Sequence, residues 1–126
     1  MRILILGAGA VGLTVAAKLS AHAEVYAVCR KRYADAIAAD GFVMTGIWGE
    51  GTYHFPCGEC VPSGSWDYII ISTKSAATRE ICESYQHLFG DAEVVSLQNG
   101  IGNEEIIREY TNHVIGAMII TGFEWR

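Results

Sequence analysis

The sequence is poor in charged residues and has no long apolar run. Charged residues make up 18% of the 126 residues, and the formal net charge is −5. This acidic balance disfavours a general role on nucleic acids or membrane surfaces, which attract positive charge. No run of 18 apolar residues and no signal-peptide pattern is found, so we expect a cytoplasmic protein without a membrane span.

The sequence also lacks a second cysteine pair with the spacing of a metal or redox motif. Of the four cysteines, Cys57 and Cys60 form one C-x-x-C, with His54 three residues before it. Structural zinc needs about four ligands, so we favour a tight turn in a reduced protein and predict no metal. Cys29 and Cys82 are expected to be small buried apolar residues at a strand end and in a helix.

Repeats, low-complexity tracts and interdomain linkers are not found in the sequence either. Hydrophobic residues make up 51% of the chain. A chain of this length can bury one real core but not two. We therefore predict one compact α/β unit.

Glycine, by contrast, is plentiful and forms a G-x-G-x-x-G motif directly after the apolar run 3–6. Gly7 allows a sharp turn off a strand, Gly9 allows the backbone to approach a diphosphate, and Gly12 allows the following helix, predicted over 10–21, to pack closely. A helix N-terminus at this place attracts phosphate. The motif in this context predicts a dinucleotide pyrophosphate site rather than a ligand-free glycine turn, at Gly7, Ala8, Gly9, Ala10, Val11 and Gly12.

A basic run follows the second predicted strand, 24–28. An NAD-preferring site usually has Asp or Glu about 20 residues past the glycines, whereas this chain has Arg30. An arginine that binds a 2′-phosphate contributes about 1.5–3 kcal/mol, which is about a tenfold to hundredfold preference for NADP over NAD. Arg30 is the favoured contact and Lys31 and Arg32 come second; a solvated basic helix start is the alternative.

The rest of the chain alternates between strand and helix patterns. Strands are predicted over 67–72, 93–97 and 113–120, helices over 31–39, 75–89 and 103–110, a hairpin or irregular strand pair over 41–48 and 51–55, and a loop over 56–65. The buried side of the second helix is predicted to consist of Tyr33, Ala34, Ile37 and Ala38, and that of the third of Ala76, Ala77, Ile81, Tyr85 and Leu88. This order predicts a Rossmann-like α/β fold, an open, mostly parallel twisted sheet with helices on both faces.

Two polar segments follow predicted strands, at 73–75 and 98–102. Ligands in an open parallel sheet lie beyond the carboxyl ends of the strands, so these segments are expected at the same crevice as the glycine turn. Lys74 offers a cation to the ribose or nicotinamide end of a cofactor, and Asn99 offers donors and an acceptor for an amide or carbonyl. An exposed lysine and an ordinary Asn-Gly turn remain the alternatives.

Together these motifs resemble the N-terminal domain of the ketopantoate reductase (2-dehydropantoate 2-reductase) family. The resemblance is carried by G-A-G-A-V-G at 7–12, Cys-Arg at 29–30, Ser-Thr-Lys at 72–74 and Q-N-G-I-G at 98–102, and it covers nearly the whole chain. It implies that residues 1–126 form an NADP(H)-binding domain, a fragment of a longer two-domain enzyme. The reaction it implies is the NADPH-dependent reduction of 2-dehydropantoate to pantoate, in pantothenate biosynthesis.

The resemblance also implies roles for individual residues. It places 7–12 at the pyrophosphate, Arg30 and Lys31 at the 2′-phosphate, Thr73 and Lys74 near the nicotinamide ribose, Asn99 at the junction of cofactor and substrate, and Gly122 at a further backbone contact to the cofactor. In this family the general-acid lysine belongs to a second, helical domain, which this sequence lacks. We therefore assign no catalytic residue and expect the chain alone to be incomplete for catalysis.

The segment after the last predicted strand departs from the family pattern. A Thr-rich stretch is usual there, whereas this chain has Ala117 to Thr121. A related 2-oxo acid therefore stays open as the substrate. Exposed apolar residues near the end are expected to favour self-association into a homo-oligomer, namely Met118, Ile120, Phe123 and Trp125.

Two other functions fit a dinucleotide-binding motif. One is a non-enzymatic nucleotide-sensing module, because this fold alone does not imply catalysis. The other is a dehydrogenase of the opine or hydroxyacyl type, which would usually have an acidic residue where Arg30 stands. A comparison of NADPH and NADH binding discriminates between these and the favoured function.

Overall fold

The computed structural model describes residues 1–7, 10–44, 51–72, 77–97 and 103–116. Strands and helices alternate along these ranges, as the sequence pattern predicts. In chain order they are β1 (Arg2–Leu6), α1 (Ala10–Leu19), β2 (Glu24–Val28), α2 (Lys31–Asp40), β3 (Phe42–Met44), β4 (Gly51–Tyr53), β5 (Cys57–Gly58), β6 (Tyr68–Ile71), α3 (Thr78–Tyr85), β7 (Glu93–Ser96), α4 (Asn103–Arg108) and β8 (Val114–Gly116), with a 3-10 turn at Gln86–Leu88.

The main sheet has six strands in the order β5-β2-β1-β6-β7-β8. Every neighbouring pair in it is parallel. From β1 the chain winds outward in one direction through β2 to β5, and then returns to the other side of β1 for β6, β7 and β8. The order therefore reverses between β1 and β6, which is the switch point of a doubly wound sheet. The predicted α/β, Rossmann-like architecture is confirmed.

The central strand β1 is buried on both faces and divides the core in two. Ile3 and Ile5 pack in one cluster with Leu13 of α1. Leu4 and Leu6 pack in the other, on the side of α3 and α4, which includes Ile107. Successive side chains of a strand point to opposite faces, so an uninterrupted apolar run such as 3–6 suits a strand covered on both sides.

The loop predicted over 56–65 contains a strand. Cys57–Gly58 forms β5, which pairs with Ala27 and Val28 of β2. The tight turn predicted for the C-x-x-C is therefore wrong for its first half, while a bend at 59–60 follows the strand. A strand of two residues is too short to show the alternating pattern from which strands are predicted. It forms because its backbone pairs with β2.

The buried faces of two helices agree with the prediction in part. In α2 Ile37 is fully buried and Tyr33 and Ala34 pack against the same core, as predicted, whereas Ala38 is exposed. In α3 the buried residues are Thr78 and Cys82. The predicted stripe of that helix lies at the margin of the contact, where Ala77, Ile81, Tyr85 and Leu88 are half-buried; Ala76 lies outside the described residues.

The predicted hairpin is confirmed as the antiparallel pair β3 and β4, in which Phe42 lies opposite Tyr53. The last strand is shorter than predicted within the described residues, and its predicted end, 117–120, lies outside them. The apolar residues expected to cause self-association, Met118, Ile120, Phe123 and Trp125, also lie outside them. Across the described ranges, no helix has both the length and the apolar character needed to cross a bilayer.

Candidate functional site

The candidate site lies at the carboxyl ends of four adjacent strands. Gly7 follows β1, Arg30 lies two residues past β2, Ser72 follows β6, and Leu97 follows β7. Because β2, β1, β6 and β7 are neighbours in the parallel sheet, these four residues lie along one edge. This edge includes the switch point, where open α/β sheets bind their ligands.

Gly7 makes the turn between β1 and α1 in a conformation that favours glycine. Its φ is +76°, in the left-handed region where a Cβ is strained. Helix α1 begins three residues later, at Ala10, so its free N–H groups lie close to the turn. Gly12 is buried, as close packing of α1 requires, whereas Ala8 and Gly9 lie outside the described residues.

Arg30 precedes the first residue of α2 and caps the helix with its backbone alone. Its φ and ψ are −66° and 149°, and its side chain makes no capping hydrogen bond. Its carbonyl accepts the N–H groups of Tyr33 at 3.0 Å and Ala34 at 3.1 Å. The Arg30 side chain is exposed, and among the described residues we find no hydrogen bond or ion pair to its guanidinium.

The next two cations differ in their surroundings. Lys31 is exposed. Arg32 is tied to its neighbour, since it donates a hydrogen bond of 2.8 Å to the Tyr33 hydroxyl and its guanidinium lies 4.7 Å from the centre of the Tyr33 ring. The first turn of α2 has no acidic residue. Because cations oppose the positive end of the helix dipole, this arrangement favours an external anion.

Ser72 connects the end of β6 to the glycine turn. Its hydroxyl oxygen lies 3.2 Å from both the Leu6 and the Gly7 carbonyl oxygens. Ser72 begins the Ser-Thr-Lys motif at 72–74, but the motif did not indicate a contact with the glycine turn; the available signal was its position directly after a strand that pairs with β1. In the sequence, Thr73 and Lys74 follow it.

Four of the predicted site residues lie outside the described residues along with Ala8 and Gly9, namely Thr73, Lys74, Asn99 and Gly122. The positions of their nearest described neighbours are clear. Residues 98–102 follow Leu97, whose N–H donates 2.9 Å to the Ile71 carbonyl. The roles given to Lys74 and Asn99 stay predictions.

A buried hydrogen bond joins the helices that follow these two segments. The Thr78 hydroxyl oxygen lies 2.9 Å from Asn103 Oδ1. Thr78 begins α3 and Asn103 begins α4, and both are fully buried. This contact holds the starts of the two helices together just behind the candidate site. The sequence pattern did not indicate it, because the two residues are 25 positions apart.

Three of the cysteine thiols, those of Cys29, Cys57 and Cys82, have a raised pKa because they are buried or partly buried. Burial, and then the neighbouring Cys57, raises the pKa of Cys29 to about 12. Burial raises the pKa of Cys82 to about 11 and also raises the pKa of Cys57. The prediction that Cys29 and Cys82 are buried is confirmed, and burial in apolar surroundings disfavours the thiolate. No cluster of metal-ligating side chains occurs among the residues that the structure describes.

The parallel strand order, with a left-handed glycine at the switch point and exposed cations at the same edge, defines a Rossmann-like α/β domain. The chain belongs to the ketopantoate reductase PanE/ApbA family, whose model matches residues 3–126. It is 36% identical over 135 aligned positions to a 2-dehydropantoate 2-reductase of Pyrococcus horikoshii, and 35% identical to that of Pyrococcus abyssi. The resemblance drawn from the motifs is therefore confirmed.

Solved structures agree with this family. A 2-dehydropantoate 2-reductase from Geobacter metallireducens has a TM-score of 0.79 and 32% identity, and covers 92% of this chain. D-mandelate dehydrogenase with NADH and anilino(oxo)acetate has a TM-score of 0.76 and 26% identity, over 94% of this chain. The match covers 40% of each of these two structures. The chain spans 44% and 41% of the two Pyrococcus relatives.

Proposed function

We propose that this chain is the NADP(H)-binding domain of a reductase that converts 2-dehydropantoate, or a related 2-oxo acid, to the 2-hydroxy acid. The observation that carries the cofactor assignment is Arg30, an exposed cation without a described partner at the end of β2. An NAD-specific site has a carboxylate there, which accepts hydrogen bonds from the ribose 2′-hydroxyl. The names of the Pyrococcus relatives support the substrate assignment.

The residues at this edge fit a phosphorylated dinucleotide. β1 and β2 are neighbouring strands, about 4.8 Å apart, so one adenosine spans the distance between the glycine turn and Arg30. In this proposal Arg30 and Lys31 bind the 2′-phosphate, and the positive end of α1 faces the pyrophosphate. The proposed pyrophosphate contacts are Gly7, Ala8, Gly9, Ala10, Val11 and Gly12.

The remaining predicted residues are proposed to position the nicotinamide and the ketone. When bound, NADPH supplies the hydride that reduces the ketone carbon. We assign Thr73 and Lys74 to the nicotinamide ribose, Gly122 to a backbone contact with the cofactor, and Asn99 to the junction, where its amide N–H can donate to the ketone oxygen. A proton donor for the resulting alkoxide is still needed. We propose that the part of the relatives beyond the matched region supplies it.

A second candidate is a dehydrogenase that uses NADH. The structure that favours it is D-mandelate dehydrogenase, a neighbour of similar fold that holds NADH. The two candidates differ in one measurable quantity, the affinity for NADPH relative to NADH. Arg30 predicts that NADPH binds more tightly.

The test is a titration of the chain with NADPH and with NADH by calorimetry or fluorescence. We expect NADPH to bind about tenfold or more tightly, and Arg30→Ala to remove most of that preference. The matched control is Arg108→Ala, which removes an exposed arginine from the far end of α4. It should leave both affinities unchanged.

Three results would contradict the proposal. Equal wild-type affinities would favour the NADH-linked candidate. An unchanged preference in Arg30→Ala would remove Arg30 from the site. Sustained ketone reduction by the chain alone, followed as loss of NADPH absorbance, would contradict the proposal that a further part is required.

A further inference from the structure

Ser72 makes contacts at the switch point that the phosphate-binding motif does not account for. Its N–H donates to the Leu6 carbonyl at 3.0 Å, as the last rung of the ladder between β1 and β6. Its hydroxyl lies 3.2 Å from the same carbonyl and 3.2 Å from the Gly7 carbonyl. The side chain is half-buried. One hydroxyl hydrogen is thus shared between two acceptors, which makes a three-centre hydrogen bond.

The hydroxyl continues the sheet beyond the point where backbone pairing ends. Leu6 lies opposite Ile71 in the register, and Gly7 then leaves the strand with a φ of +76°. The Ser72 hydroxyl also contacts the Gly7 carbonyl and so ties the turn to β6.

We propose that Ser72 is a positioning residue for the pyrophosphate-binding turn. Holding the Gly7 carbonyl fixes the point at which the chain leaves β1 on its way to α1, which begins at Ala10 with free N–H groups. N–H groups of such turns are donors to a diphosphate. The inference rests on the proposed function, since its ligand is the dinucleotide pyrophosphate.

The test compares Ser72→Ala with Ser72→Thr, using NADPH, NADH and 2′-AMP as probes. Ser72→Ala should raise the Kd for NADPH and NADH by the same factor, about two- to tenfold. It should leave the Kd for 2′-AMP unchanged, because 2′-AMP has the 2′-phosphate but no pyrophosphate. Ser72→Thr retains the hydroxyl and should restore dinucleotide binding.

Ser20→Ala is the matched control for the loss of a hydroxyl. Ser20 also donates to a carbonyl, that of Ala17 at 2.7 Å, and is likewise half-buried, but it lies after the C-terminal end of α1. Its replacement should leave dinucleotide binding unchanged. A Ser72→Ala variant that binds both dinucleotides like the wild type would overturn the inference and leave the assignment of Arg30 intact.

Two further outcomes are decisive. An equal loss of 2′-AMP affinity in Ser72→Ala would indicate a general structural effect and overturn the positioning role. Absence of any dinucleotide binding in the wild type would instead overturn the proposed function itself. If Ser72→Ala does not fold, Ser72→Cys replaces it, since a thiol is a weak donor; unchanged NADPH affinity in that variant would also overturn the inference.

Discussion

The parallel sheet has an amino edge, where its strands begin, and a carboxyl edge, where they end. The arginines at these two edges have opposite surroundings. At the amino edge Arg2, the first residue of β1, is surrounded by partners. Its Nε donates 2.9 Å to Glu24, its Nη1 donates 2.9 Å to the Ser65 carbonyl, and its guanidinium lies 4.1 Å from the centre of the Trp66 ring. Gly64 fits against it with a φ of +116°, where a Cβ would collide with the guanidinium.

At the carboxyl edge Arg30 and Lys31 are exposed, and no side-chain partner of either is found in the described part of the chain. Order at this edge comes from small neutral groups, the Ser72 hydroxyl and the pair Thr78 and Asn103. Small groups fix the backbone without neutralising the cations. The amino edge therefore has an arginine held by the fold, whereas the carboxyl edge keeps exposed positive charge, which the proposed cofactor site requires.

The largest effect on stability is expected from Arg2→Ala. It removes the contacts of Arg2 with Glu24, Ser65 and Trp66 from a largely covered side chain, so we expect a loss of about 2 kcal/mol in the free energy of unfolding. Urea denaturation measures it, with Arg108→Ala as an exposed control that should change stability by less than about 0.5 kcal/mol. The ratio of NADPH to NADH affinity should not change. A changed ratio with intact stability would reverse the roles assigned to the two edges.

Thr78→Val should have the next largest effect. Valine keeps the shape of threonine but leaves Asn103 Oδ1 without its 2.9 Å donor in a buried place, which costs about 1–2 kcal/mol. Thr52→Val, at an exposed position of β4, makes the same change where water can replace the hydroxyl and serves as the control. Equal stabilities of the two variants in urea would show that the buried contact contributes nothing to the order of the carboxyl edge.

Much of this fold could be predicted from local patterns. The strands of the main sheet with apolar runs, such as 24–28 and 67–72, agree with the structure within about one residue at each end, because β-branched and apolar residues buried on both faces leave a clear signal. β5 was missed because two residues leave no pattern. Its position depends on β2, whose paired residues lie 30 positions earlier in the chain.

The candidate site also has features that the sequence predicts and features that it does not. The places of the glycine turn after β1 and of Arg30 after β2 could be predicted, because the motif requires particular residue types at a fixed distance along the chain, whereas their binding roles stay predictions. Ser72 and the pair Thr78 and Asn103 could not, because their contacts join segments separated by 65 and 25 residues. A serine or threonine in the sequence has the same appearance whether its hydroxyl meets water or a carbonyl of another strand.

The smallest effect on stability is expected at an exposed ion pair between α3 and the end of α4. This pair lies at neither edge, so it measures how much an isolated exposed ion pair contributes to the free energy of unfolding. Arg79 donates 2.8 Å to Glu109, and this hydrogen bond lowers the pKa of the Glu109 carboxyl. A carboxyl whose pKa is lower in the folded state adds stability above its unfolded pKa, and this is lost as the pH falls through the folded pKa.

Glu109→Gln should therefore lower stability slightly at neutral pH, and the difference from the wild type should vanish in acid, below both pKa values of Glu109. Urea denaturation across this pH range measures it, with Glu59→Gln, at an exposed bend, as the control that should show no such trend. A difference that persists in acid would mean that Glu109 acts through packing and not through its charge. The Arg79–Glu109 pair would then not measure the contribution of an isolated ion pair. The loss of unfolding free energy expected for Arg2→Ala would have to be compared with that of Arg108→Ala alone.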